Sequence, residues 1–213
     1  TRRSSDLFAT MAFAQLHKAT GEERYAEATR RTFQHILERW DNPKAQWSKA
    51  HAGSRDMRAM APSMILCNLL LEIEHLMDPA VVEESIDKAL GDVMNTFYRP
   101  ELGLVVEHIN ADGTLSDTFD GRLINPGHTL ETMWFVMDLA RRRGDKALIE
   151  KAVEIGLKTL DFGWDKEHGG IFYFMDRKGC PPQQLEWDQK LWWVHIAATQ
   201  NPPASSSFAR ILQ

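Results

Sequence analysis

The densest group of residues able to do chemistry is Gly121-Arg122-Leu123-Ile124-Asn125-Pro126-Gly127-His128-Thr129-Leu130-Glu131. Pro126 and Gly127 force a turn directly ahead of an apolar helical stretch. That places His128 near a helix N-terminus, with Glu131 one turn further along the same face. A histidine and a carboxylate at this spacing suit general acid/base work, the Glu orienting the imidazole and keeping its proton affinity near neutral pH. Spacing alone equally allows His128 to cap its own helix and Glu131 to sit in water.

The second group is Leu185-Glu186-Trp187-Asp188-Gln189-Lys190-Leu191-Trp192-Trp193-Val194-His195. Flat aromatic faces stack on sugar C–H surfaces and carboxylates take the hydroxyls, so this run could line a carbohydrate cleft. It could as well be core, with Lys190 running its stem over apolar surface. The eight histidines show no His-x-x-x-His pattern and the two cysteines no Cys-x-x-Cys pattern, so no metal site is expected. Neither a phosphate-binding P-loop, nor a dinucleotide glycine fingerprint, nor a nucleophilic serine elbow occurs.

Helices must position these groups. Thr20-Gly21-Glu22-Glu23 reads as a capping box ahead of Tyr25, Ala28, Thr32, Phe33, Ile36, Leu37 and Trp40, an amphipathic outer helix over 25–40. Residues 60–71 are apolar nearly all round, which a helix tolerates only when surrounded by protein. Asp78-Pro79 caps a second amphipathic helix carrying Val82, Ile86, Leu90, Val93 and Phe97. Residues 129–139 are again apolar on most sides and 145–160 again amphipathic, so inner and outer helices alternate.

The connections repeat as well. The stretch from Tyr98 to Val105 resembles that from Trp164 to Tyr173, and the central glycines Gly103 and Gly169 lie 66 residues apart. Helix pairs closed by a polar turn and a short apolar strand are the mark of an array that buries its inner helices against one another, an all-α toroid. At roughly 30 residues per helix and connection, the chain supplies about seven helices, part of the set that a closed ring of six pairs needs. The expectation is a partial α/α barrel over residues 1–195 with short hairpin-like connections. Residues 196–213 are expected to be an irregular tail, because Pro202, Pro203 and the serines after them end any helix.

Composition narrows the function classes. The 213 residues hold 43% hydrophobic and 26% charged side chains and carry a net charge of -5, which gives no electrostatic pull toward nucleic acid or anionic lipid. No apolar run approaches the roughly 18 residues that span a bilayer. Cys67 and Cys180 lack paired spacing, so a reducing, cytoplasmic setting is expected.

The run Asn125-Pro126-Gly127-His128-Thr129-Leu130-Glu131, the pair Gly163-Trp164-Asp165 and Gly169-Gly170, and Gln184-Leu185-Glu186-Trp187 followed by Lys190-Leu191-Trp192-Trp193 resemble the N-acylglucosamine 2-epimerase family, also called renin-binding protein. The likeness runs from about Ser5 to His195. It implies an (α/α)6 barrel and a reaction that interconverts N-acetylglucosamine and N-acetylmannosamine. The sugar ring opens, a proton leaves C2, and a proton returns to the opposite face. By resemblance, His128 is one of two catalytic histidines, Glu131 is the carboxylate that supports it, and Trp192 lines the sugar pocket. Arg122, Glu186 and Lys190 are implied polar residues of the same cleft. The resemblance implies no cofactor for the chemistry, a nucleotide such as ATP as activator, self-association as a homodimer, and a renin-type protease as partner.

Two departures qualify these expectations. The resemblance puts the second histidine beyond the C-terminal end and a sugar-binding arginine before Thr1, and Val194 and Ala197 stand where the family usually has proline and glutamate. A truncated or alternatively ended product is therefore expected. Met60-Ala61-Pro62-Ser63-Met64 replaces the polar Asn and His typical of disaccharide epimerases, which favours the N-acyl sugar branch. Two competing readings stay open. One is an inverting glycosidase, which needs carboxylates roughly 6.5 to 9.5 Å apart and for which Glu107 and Glu131 are the nominees. The other is a binding protein that associates through its outer helices.

Overall fold

The computed structural model describes residues 2–40 and 57–200, which fall into two compact units. Residues 2–40 and 65–89 make the first, and residues 57–64 and 90–200 the second.

In the first unit α1 (Arg2–Thr20) packs along α2 (Glu23–Glu38). The α2 stripe of Ala26, Thr29, Phe33 and Ile36 is buried and its other faces are polar, as its charge pattern requires. Thr20 is not the cap of α2. Gly21, at φ 70°, ends α1 in the left-handed region, and Glu22 opens α2 without a side-chain cap. After β1 (Met57–Ala59), α3 (Ala61–Ile73) buries Leu66, Cys67, Leu69, Leu70 and Ile73, and so is enclosed on most sides. Asp78 bonds Ala80 N at 2.8 Å ahead of α4 (Pro79–Gly91), which runs on into a π-helical turn, Asp92–Phe97.

The second unit is a tandem repeat with a 66-residue period. β2 (Tyr98–Arg99) and β3 (Leu104–Val105) form a hairpin pairing Tyr98 with Val105, and 66 residues on Trp164 bridges Ile171. Gly103 N bonds Arg99 O at 2.7 Å, and Gly169 N bonds Asp165 O at 2.9 Å. Both glycines have positive φ, 64° and 73°, which is why each turn carries one. β4 (His108–Asn110) pairs with β1 through Met57–Asn110 and Arg58–Ile109. A short helix α5 (Phe119–Arg122) leads into β5 (Leu123–Ile124), which pairs with β6 (Met175–Asp176) through Leu123–Asp176 and Ile124–Met175, the same register shifted by 66.

Each repeat delivers the chain to the start of an apolar helix. α6 (Pro126–Arg143) buries Leu130, Met133, Val136, Met137 and Leu139 completely, each worth about 1.5 to 3 kcal/mol relative to exposure. α7 (Lys146–Gly163) and α8 (Trp192–Thr199) pack on it. The segments expected to be enclosed, 60–71 and 129–139, are therefore helices with buried faces. The described residues hold seven α-helices of eight residues or more, besides the four-residue α5.

The tail boundary moves. Ile196 to Thr199 belong to α8, because Val194, Ala197 and Ala198 bury against Leu130, Leu160 and Ile171, and that packing carries the helix to the edge of the polar segment. Residues 201–213 lie outside the described residues. Among the described residues no helix is long and apolar enough to cross a membrane. Neither Cys67, buried, nor Cys180, exposed, is in a disulfide among the described residues.

Candidate active site around His128

His128 sits in the first turn of α6. Asn125 is the cap: its Oδ1 accepts from His128 N at 3.1 Å, and Pro126 takes the first helical position, where a missing N–H costs nothing. The imidazole is therefore not spent on capping. Its Nδ1 lies 3.0 Å from Oε2 of Glu107, a residue between β3 and β4 whose side chain is 7% exposed. A carboxylate only accepts, so Nδ1 donates and Nε2 is left as the second ring nitrogen. Trp193, from the first turn of α8, flanks the ring with centroids 5.9 Å apart.

The electrostatics follow from these neighbours. Burial alone pulls the His128 imidazole toward neutrality, but the charge and hydrogen bond of Glu107, with the charge of Glu131, outweigh it and lift the proton affinity above the ordinary histidine value. Glu131 acts on the ring through space. Its own carboxyl is pushed up by burial, with His128 pulling the other way. A histidine of raised affinity, anchored through one nitrogen by a buried carboxylate, is equipped to give and take a proton through the other.

The structure redistributes the sequence-derived site. His128 and Glu131 come together, but the hydrogen bond that orients the ring comes from Glu107. Spacing could not show this, because Glu107 is 21 residues away in sequence. That bond commits one oxygen of Glu107 to the histidine. Trp192 is 74% exposed, and Trp193 is the tryptophan beside His128. The reason is helical phase: one position along α8 turns the side chain from the exposed face onto α6.

Arg122 is committed elsewhere. Its Nε bonds Oδ2 of buried Asp176 at 2.8 Å, bracing β5 against β6, and it also donates to Asp117 O. Lys190 bonds Oδ2 of Asp165 at 2.9 Å and lies 3.4 Å above the Phe172 ring. Asp165 Oδ1 accepts from Glu167 N and His168 N, and with Lys190 these bonds hold the Asp165 carboxyl down at about 2. These residues line a surface hollow of about 450 Å3 together with Trp187 and Asp188. Glu186 is exposed and is not among its lining residues. Among the described residues no group of three or more His, Cys, Asp or Glu side chains is placed to hold a metal ion.

Comparisons with known proteins agree on the class. Residues 5–204 match the family model for N-acylglucosamine 2-epimerase (GlcNAc 2-epimerase). The mouse N-acylglucosamine 2-epimerase is 35% identical over 202 residues, covering 91% of this chain and 47% of the relative. The human protein of that name is 34% identical over 203 residues, covering 91% and 46%. The chain thus spans about half the length of the curated relatives it matches. A sugar epimerase from a ruminal bacterium superposes with TM-score 0.74 at 17% identity over 98% of this chain and 57% of that one. Cellobiose 2-epimerase from Bacillus thermoamylovorans B4167 does so with TM-score 0.78 at 13% identity over 97% and 55%. At such identities the likeness speaks for the fold, the all-helical (α/α)6 barrel class.

Proposed function

The chain belongs to the N-acylglucosamine 2-epimerase family, and from that premise we propose that His128 moves a proton at C2 of an N-acylated hexosamine, interconverting N-acetylglucosamine and N-acetylmannosamine. In the open-chain sugar the C1 carbonyl acidifies the C2 proton. The free Nε2 lone pair of His128 takes that proton, the C–H electrons pass into the C1–C2 bond, and the carbonyl oxygen gains the charge. Reprotonation of C2 from the opposite face completes the inversion. That step needs a second proton carrier on the other face of the sugar.

The observation that supports the reading is the tethered imidazole: one nitrogen held 3.0 Å from a buried carboxylate, the other without a hydrogen bond to any described residue. Proton movement at C2 consumes no reactant, so a nucleotide such as ATP would act in this reading as an activator only. A homodimer and a renin-type protease partner are further expectations of the same reading. The substrate class is tested by incubating the full gene product with N-acetylmannosamine and, separately, with mannose and cellobiose. Conversion of the N-acetyl sugar alone supports the reading, and conversion of the free sugars in its place sinks it.

A further inference from the structure

The 66-residue period supplies an internal control for the His128 site. Glu107 and His128 in the first repeat occupy the positions of Tyr173 and Val194 in the second, and Gly127 that of Trp193. In the second repeat this junction between connecting strand and helix start is apolar. Tyr173 meets Trp193 edge to face at 6.1 Å, and Val194 is fully buried. In the first repeat the same junction is made by a carboxylate and an imidazole 3.0 Å apart.

The fold therefore closes this joint without charge in one repeat, and packing does not call for charge in the other. The charge is also costly. Glu107 is 6% exposed, and its Oε1 is buried with no hydrogen-bond partner among the described residues. A buried ionised oxygen left unpaired opposes folding, and a buried ion pair often stabilises no more than apolar residues of the same size. The Glu107 backbone is clamped too, since its carbonyl accepts from Met60 N at 3.0 Å as α3 begins. One 66-residue period on, Met60 is matched by Pro126, which has no N–H to give.

We propose that Glu107 is the positioning residue of the site: its carboxylate holds the Nδ1 proton of His128 and confines proton exchange with the sugar to Nε2. The charged groups acting on the ring are Glu107 and, on its own helix, Glu131, whereas α8 presents the uncharged Trp193. Glu131 then becomes the lesser carboxylate, and its effect is one of charge without orientation. The kinetic half of this inference rests on the C2 chemistry proposed above; the tautomer half does not.

The test labels histidine with nitrogen-15 in the full gene product and follows His128 by NMR against pH in wild type, Glu107→Gln, Glu107→Leu and Glu131→Gln. Gln still accepts from Nδ1 but carries no charge, so the titration midpoint should fall while the Nδ1–H tautomer persists. Leu should release the tautomer. Glu131→Gln should move the midpoint less than Glu107→Gln does. Solvent deuterium entry at C2 should drop about 10²-fold in Glu107→Gln with little change in KM. It should not drop further when Glu107→Gln is added to His128→Asn, because the carboxylate works through the imidazole. An unmoved midpoint together with a retained tautomer in the Leu variant would overturn the proposal, as would equal losses in both backgrounds. Spectra that shift as expected in a protein that epimerises no sugar would leave the Glu107 role standing and defeat the substrate reading.

Discussion

Gly127 lies so close to Trp193 that a β-carbon added to it would fall 2.6 Å from Cη2 of the indole and 2.8 Å from Cγ2 of Val194. The first turn of α6 and the first turn of α8 meet through a glycine, and the indole that fills the gap also flanks His128. Gly127→Ala should thus force α8 off α6 at a cost of roughly 1 to 3 kcal/mol, as overpacking of a filled joint does. The check is the thermal melting of the variant beside Gly91→Ala, where an added β-carbon meets nothing within 4 Å. Equal melting temperatures would mean that the joint has room to spare.

Lys190 gives a second prediction. Its bond to Asp165 closes the loop that follows α7, so Lys190→Met should lower stability at neutral pH and leave the KM for sugar near wild type. The Asp165 carboxyl is held at about 2, below its ordinary 3.8, so the contribution is whole above 3.8 and is lost as pH falls through about 2. The deficit of the variant, read from urea midpoints, should close over that interval. A KM raised many-fold with unchanged stability would return Lys190 to the sugar cleft.

The third prediction concerns the two groups lifted above their ordinary values, whose signs differ in origin. For His128 the raised affinity means that its pair with Glu107 contributes in full below pH 6.5 and is lost as the pH climbs through the folded-state value. For Glu131 burial disfavours the charged form, so stability is highest where the carboxyl is protonated and declines as the pH rises from 4.5 through the folded-state value. Glu131→Gln should therefore be more stable than wild type at pH 7 and equal to it near pH 4. A variant less stable at both pH values would show that Glu131 makes a bond worth more than its burial costs.

Much of this was legible in the sequence where local pattern decides the outcome. The all-round apolar helices, the Asn-Pro-Gly-His helix start and the 66-residue spacing of Gly103 and Gly169 all follow from periodicity and turn chemistry, which act within a few residues. Glu107 is legible in the sequence as a carboxylate to set beside Glu131, but nothing in Val105-Val106-Glu107-His108-Ile109 ties it to His128, since a strand alternates faces and the pairing spans 21 residues. The 66-residue register aligns it with Tyr173, which is half-buried against the apolar cluster of the second joint. The Arg122–Asp176 pair is hidden for a similar reason, since Asp176 lies 54 residues away and only the β5–β6 pairing joins them. Trp192 and Trp193 differ by one helical step, which composition cannot resolve.

The most direct measurement is the entry of solvent deuterium at C2 of N-acetylmannosamine, set against sugar affinity, in the full gene product and its His128→Asn variant. If His128 exchanges the C2 proton through Nε2, the variant should lose deuterium entry by about 10² to 10⁴-fold while its affinity for the sugar stays within a few-fold of wild type. Full deuterium entry in His128→Asn, or a loss of binding as large as the loss of exchange, would contradict it.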